Sequence, residues 1–211
     1  MAQASKGEHY HHGDLRRALL DAAFRVADER GVEAVTLREV ARQARVSHAA
    51  PYHHFADKAA LLDALTVQAY GALTAALRAP RETAPGDALG GLRAIGVAYV
   101  RFALGCPTAF HFLYRPGLGK DESSGEGCSA EIKAAAHAAY DVVLDAIKRG
   151  QDDGLVVSGD PKTLALTVWA TAHGLAVLLR DGAYDQPVQG AVEVDDLAAL
   201  VFAPLIAGLS A

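Results

Sequence analysis

Between Thr36 and Lys58 the chain reads TLREVARQARVSHAAPYHHFADK, and this stretch leaves little freedom in how it folds. Thr36 and Glu39 have the T-x-x-E spacing of a capping box, which starts a helix at Leu37. Leu37, Val40, Ala41 and Ala44 recur at helical spacing and give that helix one apolar face. Arg45 and Val46 make a bend. Ser47 stands where its hydroxyl can accept from backbone amides one turn on and so cap a second helix, 47–55. The layout is a helix-turn-helix. At about 100° per residue, Pro51, His54 and Phe55 fall on one side of the second helix, where they can pack on Val40 and Ala44. His48, Ala49, Tyr52 and His53 fall on the other, an outward face of small, polar or aromatic groups.

The remainder of the chain repeats the helical pattern without a strand-like run. Residues 14–30 form an amphipathic helix with Leu15, Leu19, Ala22, Ala23 and Val26 on one stripe, and Gly31 ends it. Asp57 caps a long helix running to about Arg78, and the segment PRETAPG, 80–86, reads as a loop. Further helices are expected from Asp87 to about Leu104, from Pro107 through TAFHFLY, over 130–151, from Asp160 to Arg180 with Pro161 as first helical residue, and over 194–209. Residues 1–9 read as a disordered tail, 115–129 as a Gly- and Ser-rich connection and 181–193 as a loop. The expectation is an all-α protein of nine helices. The chain contains no asparagine, so caps and turns must use Ser, Thr, Asp and Gly.

Composition and charge narrow the class. With 51% hydrophobic residues in 211, the chain can bury a sizeable core. It has neither a run of eighteen uncharged apolar residues nor an apolar leader at its start, so a soluble, cytoplasmic protein is expected. Cys106 and Cys128 lack any CxxC or Cys/His context and read as free thiols of a reducing compartment. The net charge of −5 is unevenly placed: residues 1–60 hold nine Lys/Arg against eight Asp/Glu and six of the nine His, and residues 61–211 hold eleven against seventeen. No phosphate-binding GxxxxGK[ST] loop occurs (GLGK at 117–120 lacks the upstream Gly), nor HExxH, zinc-type Cys/His spacing or a nucleophile elbow. The sequence therefore offers no catalytic residue, metal site or cofactor motif.

Residues of about 10–65 resemble the DNA-binding domain of the TetR family of transcriptional regulators. The resemblance rests on Thr36, Val40-Ala41, Val46-Ser47, the Tyr52-His53-His54-Phe55 end of the second helix, and Asp57-Lys58 followed by Leu61-Leu62, with YHHGDLRRALLDAA as lead-in. Two positions depart from the family pattern. Arg45 stands where the turn usually carries Gly, which tolerates φ > 0 cheaply. Pro51 has no N–H, so an irregular or 3₁₀ first turn is expected. The resemblance implies a DNA-binding domain over 10–58 and a ligand-binding and dimerisation domain over 59–211. Thr36, Ser47, Tyr52, His53 and Lys58 would then meet the phosphate backbone, His48 and Ala49 would face bases, and Arg45 would reach either. It also implies a homodimer on a palindromic double-stranded DNA site, with the apolar helices of 160–180 and 194–209 forming a four-helix bundle across a two-fold axis.

In the second domain, Trp169-Ala-Thr-Ala-His173-Gly174 and the run Pro107 to Tyr114 resemble a TetR subgroup named for its Trp, His and Gly. Trp169 and His173, four residues apart, share a helix face. They can line a ligand pocket together with Tyr99, Phe102, Phe110, His111 and Tyr114, or they can be core, with His173 satisfied by a neighbour. Such a lining implies an apolar or aromatic small-molecule effector. The resulting expectation is a ligand-responsive repressor. The alternative is a helical small-molecule-binding or scaffolding protein without specific DNA binding.

Overall fold

The computed structural model describes residues 12–83, 88–114, 129–183 and 193–211. Among them the chain is all-α. The helices are α1 His12–Arg30, α2 Leu37–Ala44, α3 Lys58–Thr83, α4 Ala88–Gly105, α5 Pro107–Tyr114, α6 Ala130–Asp152, α7 Pro161–Arg180 and α8 Val194–Leu209. Two 3₁₀ turns, Val32–Ala34 and Ala50–His53, join them. The ninth helix expected over 47–55 is the second of these turns. The tail 1–9, Cys128, the GLGK segment and most of the two loops at 115–129 and 181–193 lie outside the described residues.

Helix starts follow cap chemistry without asparagine. Thr36 Oγ1 accepts from the Glu39 amide at 3.2 Å, and Asp57 Oδ1 from the Ala60 amide at 2.8 Å. Ser129 Oγ accepts from Ile132 at 3.3 Å, and Asp160 takes both the Lys162 and Thr163 amides at 3.3 and 3.1 Å. Each satisfies donors that a helix terminus would otherwise leave orphaned. One boundary differs from expectation. α3 continues through Pro80 to Thr83 instead of yielding to a loop there. Proline costs an interior helix one hydrogen bond, and a helix already more than twenty residues long carries that loss near its end.

Contacts divide the chain within α3, between Leu65 and Thr66. The first unit packs Leu19, Ala22, Ala23 and Val26 of α1 against Val40 and Ala41 of α2, with Phe55, Leu61 and Leu65 also buried. Its rim is held by charge: the Glu39 carboxylate takes both Arg30 at the end of α1 and Arg42 one turn along α2, rather than folding back on the Thr36 amide. The Arg16 guanidinium lies 5.5 Å from the Phe55 ring centre, a cation–π contact.

In the second unit α4 is the central pillar, packed against α6, α7 and α8. Leu92, Ile95, Tyr99, Val100 and Ala103 bury one side of it. Gly96 lets α8 come close: a Cβ built there would stand 2.2 Å from the Phe202 ring. Arg101 of α4 pairs in a fork with Asp195 of α8. The end of α8 is tied down where Val157 donates to the Leu209 carbonyl at 2.9 Å and Ala211 to that of Leu155 at 3.2 Å.

By length and composition alone, α3 (Lys58–Pro80), α4 and α7 are apolar enough to cross a membrane. The criterion of eighteen uncharged residues passed over them because each window holds one or two charges. Packing accounts for most of the apolar surface of α3, 56% of whose window is buried, but for only 28% of that of α7.

The close approach at Gly96 gives a stability test. Gly96→Ala has to displace the fully buried Phe202 ring, and overpacking of this kind costs about 1–3 kcal/mol. Each kcal/mol lowers the melting temperature of a chain this size by roughly 2–4 °C. Gly71→Ala, whose Cβ meets nothing within 4 Å, should instead leave thermal unfolding unchanged or raise its midpoint, since alanine favours a helix interior over glycine by about 1 kcal/mol.

Candidate nucleic-acid interface and effector site

The exposed face of the first unit is set by one backbone reversal. Arg45 lies in the left-handed region, φ 57° and ψ 40°, and is the one non-glycine residue with positive φ among those described. Its N–H donates to the Arg42 carbonyl at 3.2 Å, and the Val46 N–H reaches back to Ala41 at 3.0 Å. These are the two bonds of a Schellman termination, and they satisfy carbonyls that α2 would leave bare. An L-residue pays about 1–2 kcal/mol for this conformation.

The chain then passes into tight i→i+3 bonding. Ala50 donates to Ser47 at 3.0 Å, Tyr52 to Ala49 at 3.1 Å and His54 to Pro51 at 3.0 Å. Pro51 has no amide to offer Ser47, so the turn closes one residue early and Ala50–His53 is 3₁₀, ending where the Phe55 amide reaches the Pro51 carbonyl at 2.9 Å. Among the described residues the Ser47 side chain caps nothing; its carbonyl, not its hydroxyl, receives the Ala50 amide. The sidedness read from the sequence is nevertheless present. Pro51 and Phe55 are buried and His54 is half-buried, whereas Ser47, His48, Ala49, His53 and Arg45 are exposed and Tyr52 is 59% exposed. Thr36 is exposed at the start of α2, and with its oxygen accepting from Glu39 its hydroxyl proton remains available. Lys58 is the first residue of α3, its ammonium 3.4 Å from the Glu33 carbonyl. Two helix N-termini, with the partial positive charge of their dipoles, therefore accompany the exposed segment. The Arg30–Glu39–Arg42 cluster that braces it was missed in the sequence reading, where Glu39 served only as a capping residue. Hydrogen bonding to Arg42, then the charges of Arg30 and Arg42, holds the Glu39 carboxyl below its usual range.

The second unit gathers five of the seven residues expected at the effector site. Tyr99 of α4, Phe110 and Tyr114 of α5, and Trp169 and His173 of α7 form one cluster, with ring centres 4.3 Å apart for Tyr114–His173 and 5.2 Å for Tyr99–Trp169. Phe102 is buried one turn further along α4, without a ring contact to the cluster among the described residues, and His111 is half-buried on α5. Tyr99 and Phe110 are almost wholly enclosed, whereas Tyr114, Trp169 and His173 are half-buried. The Arg180 guanidinium lies 5.1 Å from the Phe110 ring centre. Tyr140 of α6 reaches Trp169 at 5.9 Å.

Polar atoms within the cluster satisfy one another. Tyr99 Oη lies 2.6 Å from Tyr114 Oη and 3.0 Å from His173 Nδ1. With the imidazole proton on Nε2, Tyr114 donates to Tyr99 and Tyr99 donates to Nδ1. Burial pushes the Tyr114 hydroxyl up to about 12, and that of Tyr99 further still, so both remain donors. Burial, then the Arg180 charge, lowers the His173 pKa and favours the neutral ring this chain needs.

Comparison with known proteins places this arrangement. Residues 19–65 match the family model for bacterial regulatory proteins of the tetR family, and residues 92–202 match that of the tetracyclin repressor-like C-terminal domain. The chain belongs to the TetR family. A curated relative, the HTH-type transcriptional regulator BetI of Rhizobium meliloti (strain 1021), is 45% identical over 74 residues, which are 32% of this chain and 36% of BetI. BetI of Burkholderia ambifaria (strain MC40-6) is 40% identical over 86 residues, 40% of this chain and 44% of that one. The match thus spans less than half the length of these curated relatives. Among solved structures, a protein of unknown function from Rhodococcus sp. RHA1 is 36% identical, covers 97% of this chain and 100% of its own, and superposes with a TM-score of 0.82. FadR from Bacillus subtilis, solved in complex with stearoyl-CoA, shares the fold at a TM-score of 0.70, 17% identity and 92% and 99% coverage.

Two measurements follow from this TetR geometry. Arg45→Gly relieves the left-handed strain and should raise stability by about 1 kcal/mol, less the backbone entropy glycine loses on folding; a lower melting temperature would mean that Arg45 makes a folded-state contact worth more than that strain. For His173, the folded-state pKa lies below the unfolded one. Its contribution is therefore fully present above the unfolded pKa of about 6.5 and is lost as pH falls from there toward the folded value. The melting temperature of the wild type should fall more steeply below that pH than that of His173→Gln; parallel profiles would contradict the neutral, half-buried imidazole.

Proposed function

We propose that the chain is a ligand-responsive transcriptional regulator, a repressor, that binds a two-fold operator as a homodimer in the cytoplasm and leaves it when a small effector occupies the helical bundle. The observation that carries the DNA half is the outward face of His48, Ala49, Tyr52 and His53 on the 3₁₀ segment, set between the N-termini of α2 and α3. In this reading Thr36, Ser47, Tyr52, His53 and Lys58 take phosphates, His48 and Ala49 face bases, and Arg45 reaches either. The domain division is the one read from the sequence, DNA binding over 10–58 and effector binding with dimerisation over 59–211.

Apolar surface left over on α7 and α8 supports the second copy. Leu166, Ala170, Gly174 and Leu178 recur every four residues along α7, and Leu200, Ala203, Pro204 and Ala207 line one side of α8; all are exposed. Leu166 is 57% exposed and Leu200 47%. Contiguous exposed apolar faces of this kind mark association surfaces, and one recognition segment per chain needs a two-fold partner to read a palindrome.

The effector half rests on the cluster of Tyr99, Phe110, Tyr114, Trp169 and His173, with Phe102 and His111 on the same helices. Within it, Trp169, His173 and Gly174 carry the Trp-His-Gly subgroup reading. A fold neighbour solved with stearoyl-CoA supports a largely apolar small molecule as the partner. Effector binding must favour the DNA-incompetent conformation, and a preference of about 10⁴-fold moves the population from 1:99 to 99:1.

The test combines assembly with salt-dependent DNA binding. Leu166→Asp with Leu200→Asp should sediment as a folded monomer and lose tight binding to DNA upstream of the gene, whereas the wild type sediments as a dimer. Lys58→Ala should keep the dimer, weaken all DNA sequences alike and lower the salt slope of log K by about 1. A wild type that is monomeric and insensitive to these aspartates, or a Lys58→Ala protein with unchanged slope, would remove the corresponding half of the proposal.

A further inference from the structure

Apart from the aromatic cluster, the second unit contains an open trough of about 590 Å³ between α3 and α6. Val67, Gly71, Ala75 and Ala79 form its α3 wall, and Ala135 and Ala138 its α6 wall. Among the described residues only two further side chains line it, Thr74 and Arg78, and they decide what it can hold. The Thr74 hydroxyl is already spent, donating to the Tyr70 carbonyl at 2.8 Å. Arg78 is exposed and pairs with no carboxylate among the described residues. The trough is therefore apolar along its length and cationic at one end.

Its shape limits the apolar part. From Val67 to Arg78 the wall extends about 16 Å at 1.5 Å per residue. Among the described residues its lining carries no aromatic ring, and nothing bulkier than valine besides the arginine. A Cβ at Gly71 would meet nothing within 4 Å, so the space above that residue is open. Such a lining fits a slender chain better than a flat ring. Tyr70, next to Gly71 on α3, does not line the trough; it is buried and donates to the Leu113 carbonyl of α5 at 3.2 Å. The volume lies within the range of small-molecule sites. With a single guanidinium as the only free polar group among the described residues that line it, the complementary ligand head is an anion, and a carboxylate matches the guanidinium fork.

We propose that this trough binds a free single-chain aliphatic carboxylate, its chain along Gly71, Ala75 and Ala138 and its head on Arg78. The site deepens the effector reading given above and rests on it for its consequence, though not for binding itself. A chain lying there presses on α3, the helix whose first residue is Lys58. It also lies within one turn of Tyr70, which holds α5 through Leu113.

Dodecanoate, kept below its micelle concentration, is the probe, titrated calorimetrically into the full chain. One site per chain is expected. Arg78→Ala should weaken it by about tenfold or more, the equivalent of 1.4 kcal/mol. Dodecyltrimethylammonium, with the same chain and the opposite charge, should not compete. Gly71→Leu fills the trough from its floor, and because leucine favours a helix over glycine the variant should keep its melting temperature and its DNA affinity while losing dodecanoate. Absence of saturable binding, or equal binding by wild type, Arg78→Ala and Gly71→Leu, overturns the site. DNA mobility shifts on the same proteins separate this claim from the regulator reading. If Gly71→Leu blocks dodecanoate in a chain that binds no DNA, the trough stands and the regulator falls. If the chain binds DNA and ignores dodecanoate, the reverse holds.

Discussion

The first unit depends on a reversal of the backbone at Arg45. α2 must stop there, and the chain must turn sharply enough for Phe55 to reach the core that α1 and α2 share. The left-handed residue permits this, and the amides of Arg45 and Val46 offset its cost by closing onto the carbonyls of Arg42 and Ala41. Everything outward follows from the turn. With Pro51 and Phe55 drawn inside, His48, Ala49, Tyr52 and His53 have only solvent to face. The Glu39 carboxylate braces the same region by joining the end of α1 to α2 through Arg30 and Arg42.

Much of this was legible in the sequence, for local reasons. Without asparagine the caps at Thr36, Asp57 and Asp160 were conspicuous, and each is made in the structure by the side chain that signalled it, whereas the cap at Ser129 was hidden in the connection before α6. The two faces of the segment 47–55 could be told apart although its centre, Ala50–His53, is 3₁₀ and not α. Pro51 stays apart from Ala49 and Tyr52 whether the step is 100° or 120°, and Phe55 follows the end of the 3₁₀ turn at His53, where that step no longer applies. What the sequence hid depends on partners. Ser47 looked like a cap, but Pro51 withholds an amide and the turn closes through the Ser47 carbonyl. Pro80 looked like a helix end, but α3 runs on for three residues.

The second unit shows the same limit at larger scale. Aromatic residues announce themselves, and five of the seven proposed as ligand contacts do meet. Their rings touch one another, however, and Tyr114, Tyr99 and His173 are joined by hydrogen bonds. Among the described residues an open trough lies elsewhere, where glycine and alanines leave space. An absence of side chains has no periodic signature, so the trough between α3 and α6 could not be read before the helices were placed. α3 joins the two units by covalent continuity: it begins with Lys58 and carries Tyr70, Thr74 and Arg78 further along.

The central claim is that the outward face of residues 48–53 reads DNA as half of a two-fold pair. Hydroxyl-radical footprinting of the protein on the DNA upstream of its gene tests it most directly. The account predicts two symmetric protected patches centred about one helical turn, 34–36 Å, or more apart, both lost together when Tyr52 and His53 are replaced by alanine in a chain that remains dimeric. A single unsymmetric patch, no sequence-dependent protection, or a footprint unchanged by the double replacement would contradict it.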